Sequence, residues 1–238
     1  MSENATIYRP HTTVVLAMSA DGKIADGMRS PARFASAADR AHLEKQVALA
    51  DGVLFGAGTL RAYGTTLSVS NPQLLQLRQQ RGLRTQPVQI VCSRWGKIAP
   101  QLRFFRQPVP RWLLTTTRGA EEWKRQNDSV VNPFEQILIV NSLTKSLDWH
   151  DAGQQLIQLG IQRLAILGGG ELVASLLEVD FIDEFWLTVC PLIVGGRAAP
   201  TPVEGEEFSE QLARRLELLE IERIDQEIFL HYRVGSRK

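Results

Sequence analysis

Residues 164–177 read LAILGGGELVASLL, and this stretch decides the fold. Four apolar residues suit a short buried strand, three glycines follow at 168–170, and Leu172, Leu176 and Leu177 then fall on one side of a helix. A strand that runs through glycines into a helix is the unit of a parallel sheet covered by helices. Glycines at such a turn let a ligand touch the backbone, while the free N–H groups and dipole of the next helix favour an anion. A tight turn with no ligand would also need glycine. Both readings stand at this point.

The same alternation extends in both directions. Residues 12–18 (TTVVLAM) form a β-branched apolar run that ends at the turn signal Ala20, Asp21 and Gly22. Ser36 caps a helix expected to reach about Ala50, with Leu43, Val47 and Leu49 on its apolar side. Asp51 and Gly52 break it, 53–55 is a second buried strand, and a turn of sequence GAGT follows at 56–59. Asn71 and Pro72 open another helix, which Gly82 closes. Strands at 88–92, 112–115 and 137–140 then alternate with helical patterns at 118–126 and 149–159. Late in the chain, 184–191, 216–223 and 227–234 read as strands, the last two joined by a tight turn at Asp225 and Gln226. The expected fold is α/β: a mixed, mostly parallel sheet flanked by helices, with antiparallel strands at its C-terminal end. One domain is expected over 11–238, after a flexible segment at 1–10.

Composition narrows the function. The 238 residues are 44% hydrophobic and 22% charged, with a formal net charge of +1. That balance is globular and offers no bulk field for nucleic acid or a membrane, so any anion site must be local. The polar start MSENATIYRPH does not read as a signal peptide, so none is expected, and no apolar run nears a membrane span. A cytoplasmic protein is expected. Cys92 and Cys190 stand alone in apolar runs, His11, His42, His150 and His231 are scattered, and no metal site is expected.

Chemistry concentrates where predicted strands end. Beside the triple glycine stand Gly56-Ala-Gly-Thr-Leu-Arg61, Ser19-Ala-Asp-Gly-Lys-Ile-Ala25 and Cys92-Ser-Arg-Trp95. Gly56, Gly58 and Thr59 suit one wall of a cleft, although Arg61 breaks a full G-x-G-x-x-G. Asp21 and Lys23 suit proton transfer or substrate hydrogen bonding, or simply a turn. Ser93 and Arg94 suit a phosphate, or solvent. The acidic run 204–210 (EGEEFSE) reads as a solvated loop. All four strand-end turns would open onto one sheet edge. No nucleophile–histidine pair or P-loop competes with them, and hydride chemistry needs none, because the nicotinamide carries the reaction.

Taken in order, SADGKIA (19–25), DRAHL (39–43), ADGVLFGAGT (50–59), LGGGEL (167–172), FIDE (181–184) and CPLIVGG (190–196) resemble the reductase domain of riboflavin biosynthesis. That family shares the dihydrofolate reductase fold. The resemblance runs from about His11 to Val234 and implies NADPH as reductant. It places Gly168, Gly169, Gly170, Glu171 and Leu172 on the pyrophosphate, with a cis peptide between Gly168 and Gly169. It sets Gly56, Gly58 and Thr59 by cofactor and substrate, Ala17 and Phe34 by the nicotinamide, and Ser93 and Arg94 at the 2′-phosphate. Asp21 and Lys23, the expected catalytic pair, would face the substrate's sugar, with Thr59, Arg61 and Leu167 also lining the substrate pocket. The implied reaction is hydride transfer to the ribose C1 of an opened ribosylaminopyrimidine phosphate, by a homodimer built on the C-terminal strands.

The sequence departs from the family at two places. Leu167 stands where family members carry glutamate, and 62–69 reads AYGTTLSV in place of an Asp-Asp-Pro-x-Leu-Thr-Val-Arg stretch. The H-x-E and P-C-x-x-C zinc pattern of a deaminase is absent from these residues. Two alternatives remain. One is a dihydrofolate reductase-like enzyme on another heterocycle, for which Asp39 and Glu44 are the available acids. The other is a non-catalytic nucleotide-binding module.

Overall fold

The computed structural model describes residues 9–32, 34, 36–127, 132–143 and 146–235. In chain order the elements are β1 (His11–Ser19), α1 (Ala37–Leu49), β2 (Gly52–Gly56), α2 (Ala57–Tyr63), α3 (Pro72–Gln80), β3 (Val88–Cys92), β4 (Arg111–Thr115), α4 (Thr117–Gln126) and β5 (Gln136–Ile139). A small hairpin, β6 (Ser142–Leu143) and β7 (Ser146–Leu147), leads to α5 (Trp149–Gln158). Then come β8 (Arg163–Ile166), α6 (Gly170–Leu177), β9 (Glu184–Cys190), β10 (Leu216–Ile224) and β11 (Glu227–Val234).

Nine strands form one sheet in the order β10-β11-β9-β1-β8-β2-β3-β4-β5. Every pairing from β9 to β5 is parallel, and the β9–β11 and β11–β10 pairings are antiparallel, so β11 alone runs against the rest of the sheet. The expected architecture holds, with the refinement that β9 lies parallel to β1. Two apolar layers cover the sheet. One packs Val14, Leu54, Ile90, Leu114 and Ile166 against α5 and α6 through Trp149, Leu156, Val173 and Leu176. The other packs Val53, Phe55, Val91 and Leu113 against Val47, Leu60 and Trp123 of α1, α2 and α4.

Local chemistry sets the helix starts. The Ser36 hydroxyl accepts from the N–H groups of Ala38 and Asp39, and the Asn71 side chain accepts from Gln73 N ahead of Pro72. Two expectations need correction. GAGT at 56–59 is the end of β2 and the first turn of α2, a helix closed by Gly64 in the left-handed region at φ 68°. The folded region also begins before His11. The Arg9 guanidinium grips Asp183 at 2.7 and 2.8 Å and donates to Asp180 O, so Arg9 and Pro10 belong to the domain. Residues 1–8 of the expected flexible segment lie outside the described residues.

Candidate active site

The parallel strands leave a gap at their C-terminal edge beside β1. Register between β1 and β8 stops at Val14 opposite Ile166, whereas β1 continues along β9 to Ser19 opposite Cys190. Past that point β1 loses its neighbour on one side, and Leu16, Ala17 and Met18 become half-buried in succession. A crevice outside the carboxyl ends of strands is where open α/β sheets bind ligands.

The triple glycine forms one wall of this gap. Gly168 has φ +87°, and the Gly168–Gly169 peptide is cis, as the family resemblance implied. Gly168 O accepts from Gly56 N at 2.9 Å, tying the end of β2 to the turn. A Cβ on Gly56 would lie 3.8 Å from both Gly168 O and Gly169 N, so the first turns of α2 and α6 stand side by side. Among the described residues, nothing accepts from the N–H groups of Gly169, Gly170, Glu171 or Leu172. Orphan donors at a helix start are a cradle for an anion, and here the Glu204 side chain beside Gly170 has its charge offset by Arg29. A pyrophosphate fits the residues present.

The turn after β1 forms the opposite wall. Asp21 accepts from Ser19 Oγ at 2.6 Å, Val194 N at 3.0 Å and Gly195 N at 2.7 Å. These donors, the Ser19 hydroxyl first, hold its carboxyl down at about 2. Lys23 N donates to Ser19 Oγ, and its half-buried ammonium reaches Ala199 O at 3.3 Å. The segment after this turn is fastened at two points. Arg29 pairs with Glu204 at 2.8 Å and Glu171 at 3.7 Å, above the start of α6. The Tyr63 hydroxyl, at the end of α2, lies 3.0 Å from Ala32 N.

The RibD C-terminal domain family model matches residues 10–230. The chain belongs to the RibD C-terminal domain family. It is 28% identical over 212 residues to the 2,5-diamino-6-ribosylamino-4(3H)-pyrimidinone 5′-phosphate reductase of Archaeoglobus fulgidus, an alignment covering 89% of this chain and 93% of that protein. A pyrimidine reductase-like protein from Corynebacterium diphtheriae has the same fold, with a TM-score of 0.80 at 18% identity over 95% of this chain and 92% of that one. Dihydrofolate reductase from Enterococcus faecalis superposes at a TM-score of 0.50 and 12% identity, covering 95% of this chain and 97% of that chain. These two likenesses are of fold.

Within this RibD C-terminal domain, the four motifs expected at strand ends do share one edge of the sheet. Gly56, Gly58, Thr59, Gly168, Gly169 and Gly170 come together, and the Arg61 guanidinium folds back to 3.8 Å from the position of a Gly58 Cβ. Ala17 lies in the gap, and Phe34 is half-buried in the segment before α1. Several expected roles change. Asp21 is an ionised acceptor filled by the Ser19 hydroxyl and two backbone N–H groups, so it holds the 192–195 loop and has no proton to give at neutral pH. The Glu171 carboxylate is exposed toward Arg29, and the Leu172 side chain is buried; each can offer a pyrophosphate only its N–H. Leu167 packs on the apolar layer beneath α1 and α2. Ser93 is buried, whereas Arg94 reaches Ser142 Oγ at 2.9 Å. Glu204, expected to be merely solvated, anchors Arg29. Sequence carries no signal for that pair, because 175 positions separate its members.

Neither alternative acid lies open. Glu44 accepts from Ser70 N and Asn71 N. Asp39 is buried in the first turn of α1, where Glu227 of β11 accepts from Ser36 N and the Ser36 hydroxyl. Burial raises the Asp39 pKa, the Thr188 hydroxyl opposes the rise, and the Glu227 charge adds to it. A carboxyl whose pKa is higher folded than unfolded stabilises the fold below its unfolded pKa, and that stability is lost as pH rises through the folded value. Asp39→Asn keeps an acceptor for Thr188 and removes the charge. Its thermal midpoint should exceed that of the parent at pH 8 and match it at pH 4; an equal shift at both would refute the account.

Proposed function

We propose that this chain is an NADPH-dependent reductase of riboflavin biosynthesis acting on a ribosylaminopyrimidine phosphate. The observation that carries the reading is the cradle of unaccepted N–H groups from Gly169 to Leu172, set beside Gly56 at the open end of β1. The name of the Archaeoglobus fulgidus relative supports the reaction class. NADPH, when bound, supplies the hydride. The protein's part is placement. The α6 start holds the pyrophosphate, Ala17 and Phe34 flank the nicotinamide, and the segment fastened by Arg29 and Tyr63 keeps water out. Lys23 presents N–H donors to the opened ribose chain, and Arg61 offers its guanidinium to the phosphate. The ribose C1 of the opened, imine form would accept the hydride as the C=N π bond breaks and its nitrogen takes a proton from the Lys23 ammonium, leaving the ribityl carbon. With Leu167 in place of glutamate, this pocket gives the pyrimidine no acidic partner at that position, so ribose and phosphate contacts bear more of the recognition.

Turnover is measured as NADPH oxidation with the 2,5-diamino substrate and with its deaminated uracil form. Reduction of either supports the proposal. Binding of NADPH with reduction of neither would leave a nucleotide-binding module, and preferential reduction of dihydrofolate would reassign the substrate.

The proposed assembly is a homodimer along β10. This edge strand exposes Leu216, Leu218, Leu219 and Ile221, a surface that a solitary sheet edge rarely leaves bare. Sedimentation should give a dimer that Ile221→Lys converts to monomer; a monomeric parent would sink the idea. The proposed compartment is the cytoplasm, in keeping with two unpaired cysteines.

A further inference from the structure

The segment fastened by Arg29 and Tyr63 runs on to Ser36, and there the hold is of a different kind. Glu227, the first residue of β11, follows the tight turn at Asp225 and Gln226 and is 4% exposed. One of its carboxylate oxygens accepts from Ser36 N at 3.1 Å, and the other accepts from the Ser36 hydroxyl. With its proton given to Glu227, the Ser36 oxygen in turn accepts from Ala38 N and Asp39 N, at 3.0 and 3.1 Å. A buried carboxylate thus reaches the positive end of α1 through the capping hydroxyl. Among the described residues no lysine or arginine pairs with Glu227, so its charge is spent on holding the start of this helix.

Register sets this contact at the level of the cleft. Ile228 pairs with Val189, so Glu227 stands level with Cys190, and Cys190 pairs with Ser19 at the end of β1. One row back, Phe229 pairs with Thr188 and Thr188 with Ala17. Val14 packs on the α5 and α6 layer, so by alternation Ala17 and Ser19 point to the α1 face. β11 lies two strands from β1, a spacing of about 10 Å. Glu227 therefore stands back from Ala17 and meets the cleft through Ser36, two residues after Phe34.

We propose that Glu227 is a positioning residue for hydride transfer: by gripping Ser36 it sets Phe34 against the nicotinamide and fixes the approach of the cofactor to the ribose C1. This rests on the cofactor reading above and extends it. Rate depends on near-attack geometry, so a wall displaced by about 1 Å costs the transfer far more than it costs binding. The pyrophosphate cradle at the start of α6 belongs to the other layer and does not depend on this contact.

The test is single-turnover oxidation of bound NADPH by the full chain, by Glu227→Gln, by Ser36→Ala and by Ser36→Thr, with whichever pyrimidine phosphate the parent reduces. The amplitude reads the folded, competent fraction, and the rate constant reads the transfer. Glu227→Gln keeps the size of the side chain and removes the charge. It and Ser36→Ala should keep the amplitude, lower the rate constant by about ten- to hundredfold and leave the NADPH Kd within about threefold. Ser36→Thr keeps a capping hydroxyl and should retain most of the parent rate. A rate constant within about twofold of the parent in Glu227→Gln, or a loss confined to amplitude, overturns this assignment alone. A parent that binds no NADPH, or reduces neither pyrimidine, overturns the functional reading and the assignment with it.

Discussion

Gly169→Ala should cost the protein its cofactor and spare its fold. The new methyl meets only Thr59 Oγ1, at 3.6 Å, an ordinary contact, and Gly169 has φ −78°, open to any residue. The position caps α6, so replacing glycine by alanine there should cost stability by about 1 kcal/mol at most. A methyl in the path of a pyrophosphate is a different matter. Overpacking of about 1–3 kcal/mol translates to roughly a ten- to hundredfold loss of NADPH affinity. The neighbouring position supplies the contrast, because a Cβ on Gly170 would lie 2.4 Å from Thr201 O and 2.8 Å from Glu204 Cγ. Gly170→Ala should therefore lose stability as well as binding. Thermal melting and NADPH titration of both variants separate the cases. Unchanged NADPH affinity in Gly169→Ala would remove the cradle from the account of function.

The largest expected effect on stability lies far from the cleft, at Arg78. Its side chain is 1% exposed, yet it meets carbonyls rather than a carboxylate: Nε donates to Arg84 O at 2.8 Å, and Nη1 to Ala48 O and Ala50 O at 2.8 and 2.6 Å. It closes the end of α1 and fixes the chain before β2. Burial lowers its pKa, the Asp51 charge opposes that, and Arg81 reinforces it. Arg78→Met fills similar space but strands three acceptors. Such a loss is worth about 3–5 kcal/mol, or on the order of 10 °C in Tm for a chain of this size. A midpoint within a degree or two of the parent would show that water or a neighbour serves those carbonyls equally well.

Arg78 also marks where sequence reasoning stops. In sequence it is one more cation on a polar helix. The strands were legible because burial on both faces requires unbroken apolar runs, as in 53–55 and 88–92. The edge carrying the site was legible because each run ends in glycine or small polar residues. α2 was hidden, since two glycines in its first stretch of chain lower helix propensity, and its start is set by the end of β2. Asp21 was found as a residue of a turn with proton transfer or substrate hydrogen bonding in view, but its hold on the 192–195 loop was not. Its role depends on backbone donors from 194 and 195, which nothing nearby in sequence announces.

The two fastenings of the segment after β1 bear on cofactor binding as well as enclosure. One is an ion pair, Arg29 with Glu204, and the other is the Tyr63 phenol, which accepts from Ala32 N and donates to Ala32 O. Exposed pairs of this kind contribute about 0–1 kcal/mol and are screened by salt. These two contacts by themselves add little to the hold on the segment, and raising the ionic strength should weaken the first of them. A pyrophosphate seated below would add its own charge beside Arg29 and compete with Glu204 for it. The guanidinium would then exchange one anion for another, and the segment's tie would pass from the protein's own carboxylate to the bound cofactor.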